Sequence, residues 1–287
     1  MIGYLTAAAC ILIWGVTFVN TKALLVDFSS FEILVVRFAM AYAALWAIAP
    51  RRFRTDGWRE ELRFVAMGLS GVAVYQYLEN CAINYTNASN VSILVSACPM
   101  GTAALSSLIL KEKAIGRRFL VGFALAMTGV TLVCLSGVRE FHFSPFGDFV
   151  ALGAMMSWSV YSVLVTEVNR KGREPALVIR RTFFWALVAM APFVPFGCDF
   201  GLERNLARFA SPTAWLHLGF LGLLASALAF VLWNRACQAL GTVRATCGLY
   251  LIPAVTAVVA HFALGESLTA MTGVGAAVTI LGVMIGG

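Results

Sequence analysis

The stretch "ASNVSILVSACPMGTAALSSLILKEK", residues 88–113, is nearly a membrane span, yet it has a proline at its centre and a Lys-Glu-Lys at its end. The stretch "TVRATCGLYLIPAVTAVVAHFALGES", residues 242–267, follows the same plan. A shift of 154 residues places Pro99 on Pro253 and Glu112 on Glu266. Because a carboxylate is costly in a membrane segment, this match carries more information than matched apolar residues.

The composition is that of an integral membrane protein. Of the 287 residues, 60% are hydrophobic and only 12% are charged, whereas soluble domains have about 25% charged residues. The net charge of +7 resides in short loops between apolar runs, so nucleic-acid binding is not indicated. The seven cysteines form no C-x-x-C pair and the histidines form no cluster at metal spacing, so we expect neither a metal nor a cofactor.

The apolar runs predict an all-α chain that crosses the membrane ten times. A span needs about 20 mostly apolar residues. The predicted spans are residues 4–26, 31–49, 62–84, 88–110, 116–136, 147–168, 176–197, 213–239, 243–264 and 269–286. The first starts without charge and runs on to about the length of a membrane helix, so we interpret it as a retained span and not as a signal peptide.

The basic residues predict the orientation. Sixteen of the 21 Lys and Arg residues lie in loops that follow even-numbered spans, and only three lie in loops on the other side. Since cytoplasmic loops carry an excess of Lys and Arg, we expect both termini to be cytoplasmic. The predicted location is the plasma (inner) membrane, as a multi-pass protein.

The two halves of the chain predict an inverted repeat. The shift of 154 residues also matches Gly68 with Gly222 and Asn80 with Asn234. Residues 1–137 and 147–287 would each hold five spans, and an odd number makes the second copy enter the membrane upside down. Inverted repeats are typical of secondary transporters, whose sites lie near the midplane at the repeat interface. A duplication kept only for stable packing is the alternative.

These features resemble a known family. The "WG" of the first span, the two Pro-plus-Glu stretches and the ten spans are similar to the EamA-like branch of the drug/metabolite transporter superfamily, and the resemblance covers essentially the whole chain. It implies an exporter or exchanger of amino acids, other metabolites or drugs. It also implies a central cavity lined mainly by the first, third, fourth, sixth, eighth and ninth spans.

Aromatic residues and prolines are predicted at one membrane depth. At about 1.5 Å per helical residue, Trp14, Trp158, Pro99 and Pro253 lie about 15–16 Å from the nearer end of their helices. Each proline removes a backbone hydrogen bond. Their symmetric placement at the midplane favours a kink that widens a cavity and acts as a hinge, and a tolerated kink, common in membrane helices, is the alternative. The expected substrate-binding residues are Trp14, Tyr75, Glu79, Asn80, Ser96, Trp158, Tyr161, Asn234 and Tyr250.

Three carboxylates near the spans are further candidates. Glu79 either forms a structural ion pair with Arg37 or Lys22, or serves as a proton or amine site, and the sequence leaves both open. Glu112 and Glu266 follow their helices on opposite membrane faces. They are expected to help close opposite gates, with simple solvation at the interface as the alternative.

The function that these patterns favour is a secondary active exporter of small metabolites such as amino acids, working by alternating access around a midplane site. The alternative is efflux of multiple drugs or quaternary amines. An enzyme is not expected because H-E-x-x-H and G-x-S-x-G are missing, and a channel would need a glycine-rich filter or a ring of charges. The expected partners are a small-molecule substrate and the lipid bilayer, and a monomer would suffice.

Overall fold

The computed structural model describes residues 1–86, 88–136, 144–265 and 267–286. These residues form helices joined by short turns, and no strand occurs within them. The helices of the first half are α1 (Ile2–Leu24), α2 (Ser30–Ile48), α3 (Trp58–Gly68, Leu69–Val74 and Tyr75–Ile83), α4 (Ala88–Ser96 and Cys98–Ile109) and α5 (Arg117–Leu135).

The second half continues the all-helical pattern. Its helices are α6 (Pro145–Asn169), α7 (Pro175–Met190, extended by short turns to Gly197), α8 (Leu202–Phe209), α9 (Pro212–Leu240), α10 (Thr242–Leu264) and α11 (Ala270–Gly286). Helix α8 lies in a stretch that the apolar pattern assigns to a loop. It is short, and it holds a polar sequence with Glu203 in its first turn and Arg208 in its last.

Eight helical segments of the described chain are long and apolar enough to cross a membrane: α1, α2, most of α4, α5, α6, α7 with its extension, α9 and α10. Helix α11 is apolar but has 17 residues. Helix α3 begins at Trp58, four residues before the predicted start, because the polar segment that follows Gly57 is also helical. The chain is therefore a multi-pass membrane protein.

Two helices are broken at the predicted prolines. In α4 the helix stops at Ser96 and restarts at Cys98, so that Pro99 is in the first turn of the new segment. In α10 a 3₁₀ turn at Gly248–Leu251 precedes Pro253. A proline fits a first helical turn because its missing N–H has no partner there in any case.

Helices α3 and α9 each contain a π-helical segment. These segments cover Leu69–Val74 in α3 and Phe220–Leu228 in α9. Such wider turns occur frequently at functional sites. Both segments face the centre of the bundle, where Gly71 packs against the ring of Tyr161 and Ala225 accepts a hydrogen bond from Trp14.

Glycines bring α5 and α11 into close contact. A Cβ atom at Gly122 would lie 2.4 Å from the Cα of Gly286, and one at Gly129 would lie 2.4 Å from the backbone nitrogen of Thr279. Small residues let membrane helices approach each other at the backbone. The contact therefore joins the last helix of each half.

The first helix of each half packs against the other half. Helix α1 contacts mainly α9 and α10, whereas α6 contacts mainly α3 and α4. This exchange places the tryptophans that α1 and α6 carry within reach of each other.

Candidate functional site

The centre of the bundle is built around two tryptophans. Trp14 of α1 and Trp158 of α6 meet in a T-shaped arrangement, with ring centroids 5.7 Å apart. Both rings are buried, with 9% of Trp14 and 6% of Trp158 exposed. Because α1 packs on the second half and α6 on the first, this contact lies between the two halves of the chain.

Two of the predicted tyrosines join the tryptophans. The rings of Tyr75 and Tyr161 each lie 5.1 Å from the ring of Trp158. Tyr161 is one helical turn from Trp158 on α6, and Tyr75 begins the segment of α3 that follows the π-helical turn. The structure thus brings four of the predicted site residues together, while their binding role stays a prediction.

Helix α9 adds two aromatic residues that the sequence analysis did not include. Phe230 and Trp233 both have ring centroids 5.4 Å from that of Trp14. Trp233 and the predicted Asn234 follow Phe230 by three and four residues, which places all three on one helix face. That spacing could have identified them. We call Trp14, Tyr75, Trp158, Tyr161, Phe230 and Trp233 the aromatic cluster.

Several polar atoms in and beside the aromatic cluster are buried without a partner. Within the described chain, the indole nitrogens of Trp158 and Trp233, the hydroxyl of Tyr161 and both amide atoms of Asn234 make no hydrogen bond. Trp14 differs, since its indole nitrogen donates to the carbonyl of Ala225 at 3.0 Å. An unsatisfied buried polar group costs about 1–3 kcal/mol. The centre of the bundle therefore offers several hydrogen-bonding groups that a polar ligand could satisfy.

A carboxylate lies at the edge of the aromatic cluster. Tyr75 donates its hydroxyl proton to Oε1 of Glu79 at 3.0 Å. The charge of Arg37 also acts on Glu79, while the Nε of Arg37 donates to the hydroxyl of Ser226 at 2.9 Å. Of the two predicted cations, Arg37 interacts with this acid electrostatically, and Lys22 is in the last turn of α1.

Three further predicted site residues are not members of the aromatic cluster. Asn80 and Ser96 are both partly buried, and Ser96 is the last residue before the break in α4. Tyr250 is buried in a separate group, where its ring is 6.4 Å from that of Phe123 of α5. The structure does not bring Tyr250 into the aromatic cluster.

The two broken helices contact the tryptophan-bearing helices next to the tryptophans. Ser159 donates to the carbonyl of Cys98, which precedes Pro99, at 3.2 Å. Thr256, three residues after Pro253, donates to the carbonyl of Gly15 at 3.0 Å. A change of helix angle at the break in α4 would therefore shift the backbone beside Trp158, and one at the break in α10 would shift the backbone beside Trp14.

Salt bridges join the helix ends on the arginine-rich face. Glu112, predicted as part of a gate, pairs with Arg170 at 2.7 Å, and both side chains are well exposed. Its match Glu266 lies outside the described residues. Arg173 pairs with Asp56 at 2.6 Å and with the buried Glu60 at 3.0 Å. Lys171 and Arg173 donate hydrogen bonds to Asp56, which lowers the pKa of that carboxyl.

A second ionic contact lies on the opposite face. Arg208 of α8 donates to Glu32 at 2.6 Å, and both side chains are buried. Glu32 also forms a capping box with Ser29 at the start of α2. The Ser-x-x-Glu pattern indicates such a cap from sequence alone, but its pairing with a residue about 175 positions away does not follow from it.

The sequence also matches a family of known proteins. A family model described as "EamA-like transporter family" matches residues 1–135 and 145–286. An uncharacterized transporter of Archaeoglobus fulgidus is 29% identical over 286 residues, covering 98% of this chain and 96% of its own length.

Other relatives carry more specific names. The "Probable terminal-alkyne amino-acid exporter" of Streptantibioticus cattleyicolor is 28% identical, and the match covers 88% of this chain and 81% of that protein. The "Probable amino-acid metabolite efflux pump" of Escherichia coli is 24% identical, and the match covers 97% of this chain and 92% of that protein. A solved structure at 17% identity has a TM-score of 0.80 and covers 99% of this chain and 95% of its own, so it shares the fold.

Proposed function

The chain belongs to the EamA-like transporter family, and we propose that it is a secondary active exporter of small metabolites such as amino acids. The observation that carries this proposal is the set of unsatisfied polar atoms held among aromatic rings where the two halves meet. Secondary transporters hold their substrate at such an interface near the midplane. The names of two relatives, an exporter and an efflux pump of amino-acid compounds, support the substrate class.

The chemistry of the site fits a zwitterion. The indole N–H groups of Trp158 and Trp233 and the hydroxyl of Tyr161 are donors that suit a carboxylate. The faces of the aromatic rings attract an ammonium group. Glu79 and Asn80 would bind the polar or cationic end of the substrate. Ser96 and Tyr250 belong to the proposed site only if the broken helices move toward it.

Ten spans in two inverted five-helix repeats, residues 1–137 and 147–287, are supported by local structure. The breaks in α4 and α10 restart at Cys98 and Ile252, and the π-helical segments end at Val74 and Leu228; both pairs are 154 residues apart.

Close packing supports the same symmetry. Gly122 meets the backbone of Gly282, and Gly129 meets that of Gly275. A shift of 153 residues converts Gly122 to Gly275 and Gly129 to Gly282. The two contacts therefore exchange with each other under the repeat operation, which is the behaviour of two copies related by a pseudo-two-fold axis.

We further propose that the helix breaks at Pro99 and Pro253 act as hinges for alternating access. Glu112, through Arg170, would tie one gate shut, and Glu266 would serve the opposite gate. The excess of arginine and lysine on one face supports cytoplasmic termini in the plasma (inner) membrane. A monomer contains the whole proposed site.

Thermal unfolding of the purified protein with candidate substrates tests the proposed ligand class. A ligand that binds only the folded state, present at a concentration of 100 times its Kd, stabilises the folded protein by about 2.7 kcal/mol. We expect amino acids to raise the Tm of the unchanged protein and to raise it less in Trp158→Phe, with the exposed Trp58→Phe as control. Stabilisation by quaternary amines alone would instead favour efflux of cationic compounds.

A further inference from the structure

A cleft with four arginines lies at one membrane face, away from the aromatic cluster. It has a volume of about 320 Å³ and lies between the end of α2, the loop that follows it and the first half of α7. Its arginines are Arg52 and Arg54 of the loop and Arg180 and Arg181 of α7. The proposed transport mechanism uses none of them.

The arginines of α7 form the base of the cleft. Arg180 is buried, stacks on the ring of Trp46 at 4.0 Å and donates to the carbonyls of Ala49 and Arg51. Arg181 pairs with Glu61 at 2.6 Å. These contacts fix the base and also neutralise one of its two charges, since Glu61 already holds Arg181.

The arginines of the loop are differently placed. Arg52 and Arg54 are exposed, and neither makes a hydrogen bond or a salt bridge with any residue that the structure describes. Their guanidinium groups therefore keep all their donors for a ligand. A guanidinium group matches the geometry of a phosphate with two parallel hydrogen bonds.

The remaining walls of the cleft are aromatic. Tyr42, Trp46 and Phe184 line it, and the rings of Tyr42 and Phe184 are 6.2 Å apart. Trp46 is 39% exposed, and Ile48 beside it is 73% exposed. Tryptophan collects where hydrocarbon meets the head groups. The cleft thus combines free guanidinium groups with an apolar surface at the depth of lipid head groups.

We propose that this cleft binds the head group of an anionic phospholipid. The phosphate would bind Arg52 and Arg54 over the fixed charge of Arg180, while the glycerol and upper acyl chains would pack on Trp46 and Phe184. Basic clefts between membrane helices are suited to such lipids. Such a lipid would bind at the protein surface whichever substrate is transported.

Intact-mass measurement of lipid complexes released from detergent tests the proposal. The protein is mixed with equal amounts of phosphatidylglycerol and phosphatidylcholine, and we expect it to retain phosphatidylglycerol preferentially. Each arginine near a membrane surface contributes about 1 kcal/mol to the binding of anionic lipid. The double variant Arg52→Gln with Arg54→Gln should therefore weaken phosphatidylglycerol binding by about tenfold or more. The Tm should stay unchanged because neither side chain has a partner among the residues that the structure describes.

A matched control separates the cleft from net charge. Arg117→Gln with Arg118→Gln removes two exposed arginines outside the cleft, and we expect it to leave phosphatidylglycerol binding unchanged. The proposal fails if the cleft variant binds phosphatidylglycerol as the unchanged protein does, or if the control loses as much. It also fails if free glycerol 3-phosphate displaces the lipid at equal concentration, since the cleft would then bind a soluble anion.

Discussion

Trp14 and Trp158 present the same indole group to the centre of the bundle, but only Trp14 has its N–H hydrogen-bonded. Trp14 donates to Ala225 in the π-helical segment of α9, which holds it in place. The N–H of Trp158 is left for another acceptor. One tryptophan of the pair is therefore structural by its contacts, and the other is suited to a ligand.

A pair of conservative substitutions tests this difference. Trp14→Phe leaves the carbonyl of Ala225 without its donor, so we expect it to lower the free energy of unfolding by roughly 1–3 kcal/mol more than Trp158→Phe does. Trp158→Phe should instead weaken substrate binding by about tenfold, the effect of one lost hydrogen bond to a charged group. Thermal unfolding and substrate titration measure the two effects, and an identical result for both variants would contradict the assignment.

Asn234 provides a test of function against stability. Its side chain is fully buried, and its two amide atoms make no hydrogen bond in the described chain. Asn234→Leu replaces it with an apolar group of similar size, so we expect a higher Tm together with reduced transport. Thermal unfolding and vesicle uptake measure both quantities. Lower stability with unchanged uptake would show that the amide has a structural role only.

The two readings of Glu79 predict different behaviour in a pH gradient. If Glu79 carries the coupling proton, Glu79→Gln should leave a folded protein whose transport no longer responds to an imposed pH gradient. Tyr75→Phe, which removes only the hydroxyl that donates to Glu79, should keep that response. If instead Glu79→Gln keeps its dependence on the gradient, the carboxylate serves the electrostatic contact with Arg37.

The salt bridge between Glu112 and Arg170 is a test of the gate. Both side chains are well exposed, and surface ion pairs contribute at most about 1 kcal/mol, so Glu112→Arg should barely change the Tm. It should change the transport rate, and the reversed pair with Arg170→Glu should restore it. If neither Glu112→Arg nor Arg170→Glu alone changes the transport rate, Glu112 is only solvated at the membrane interface and is not part of a gate.

The glycine contact between α5 and α11 predicts a large effect of one methyl group. A Cβ at Gly129 would lie 2.4 Å from backbone and hydroxyl atoms of Thr279, so Gly129→Ala should cost about 1–3 kcal/mol of stability. Gly219 in α9 has no atom within 4 Å of such a Cβ. Gly219→Ala should therefore stabilise, by up to about 1 kcal/mol. Equal Tm values for the two variants would contradict the packing.

Much of the architecture could be predicted because it follows from local chemistry. Apolar length predicts membrane helices, and proline explains the breaks in α4 and α10. The start of α3 was less predictable, because its polar first turns lie outside the apolar run. Helix α8 was missed for the same reason, since a short polar helix has no apolar signature.

The site was only partly predictable because it is assembled between halves. Estimates of depth place Trp14 and Trp158 at one level, and the structure brings them together with Tyr75 and Tyr161. Depth contains no information about rotation around a helix axis. For that reason Tyr250, a predicted site residue, packs against Phe123 instead, while Phe230 and Trp233 of α9 complete the aromatic cluster.

The most direct test of the account is counterflow in proteoliposomes. Vesicles that contain the protein and a high concentration of one unlabelled amino acid are placed in a trace of the labelled form. An alternating-access carrier predicts that label accumulates transiently above equilibrium, and that Trp158→Phe reduces the accumulation at low substrate concentration. Label that equilibrates without such an overshoot, for every amino acid tested, would contradict the proposal that this chain is an amino-acid carrier.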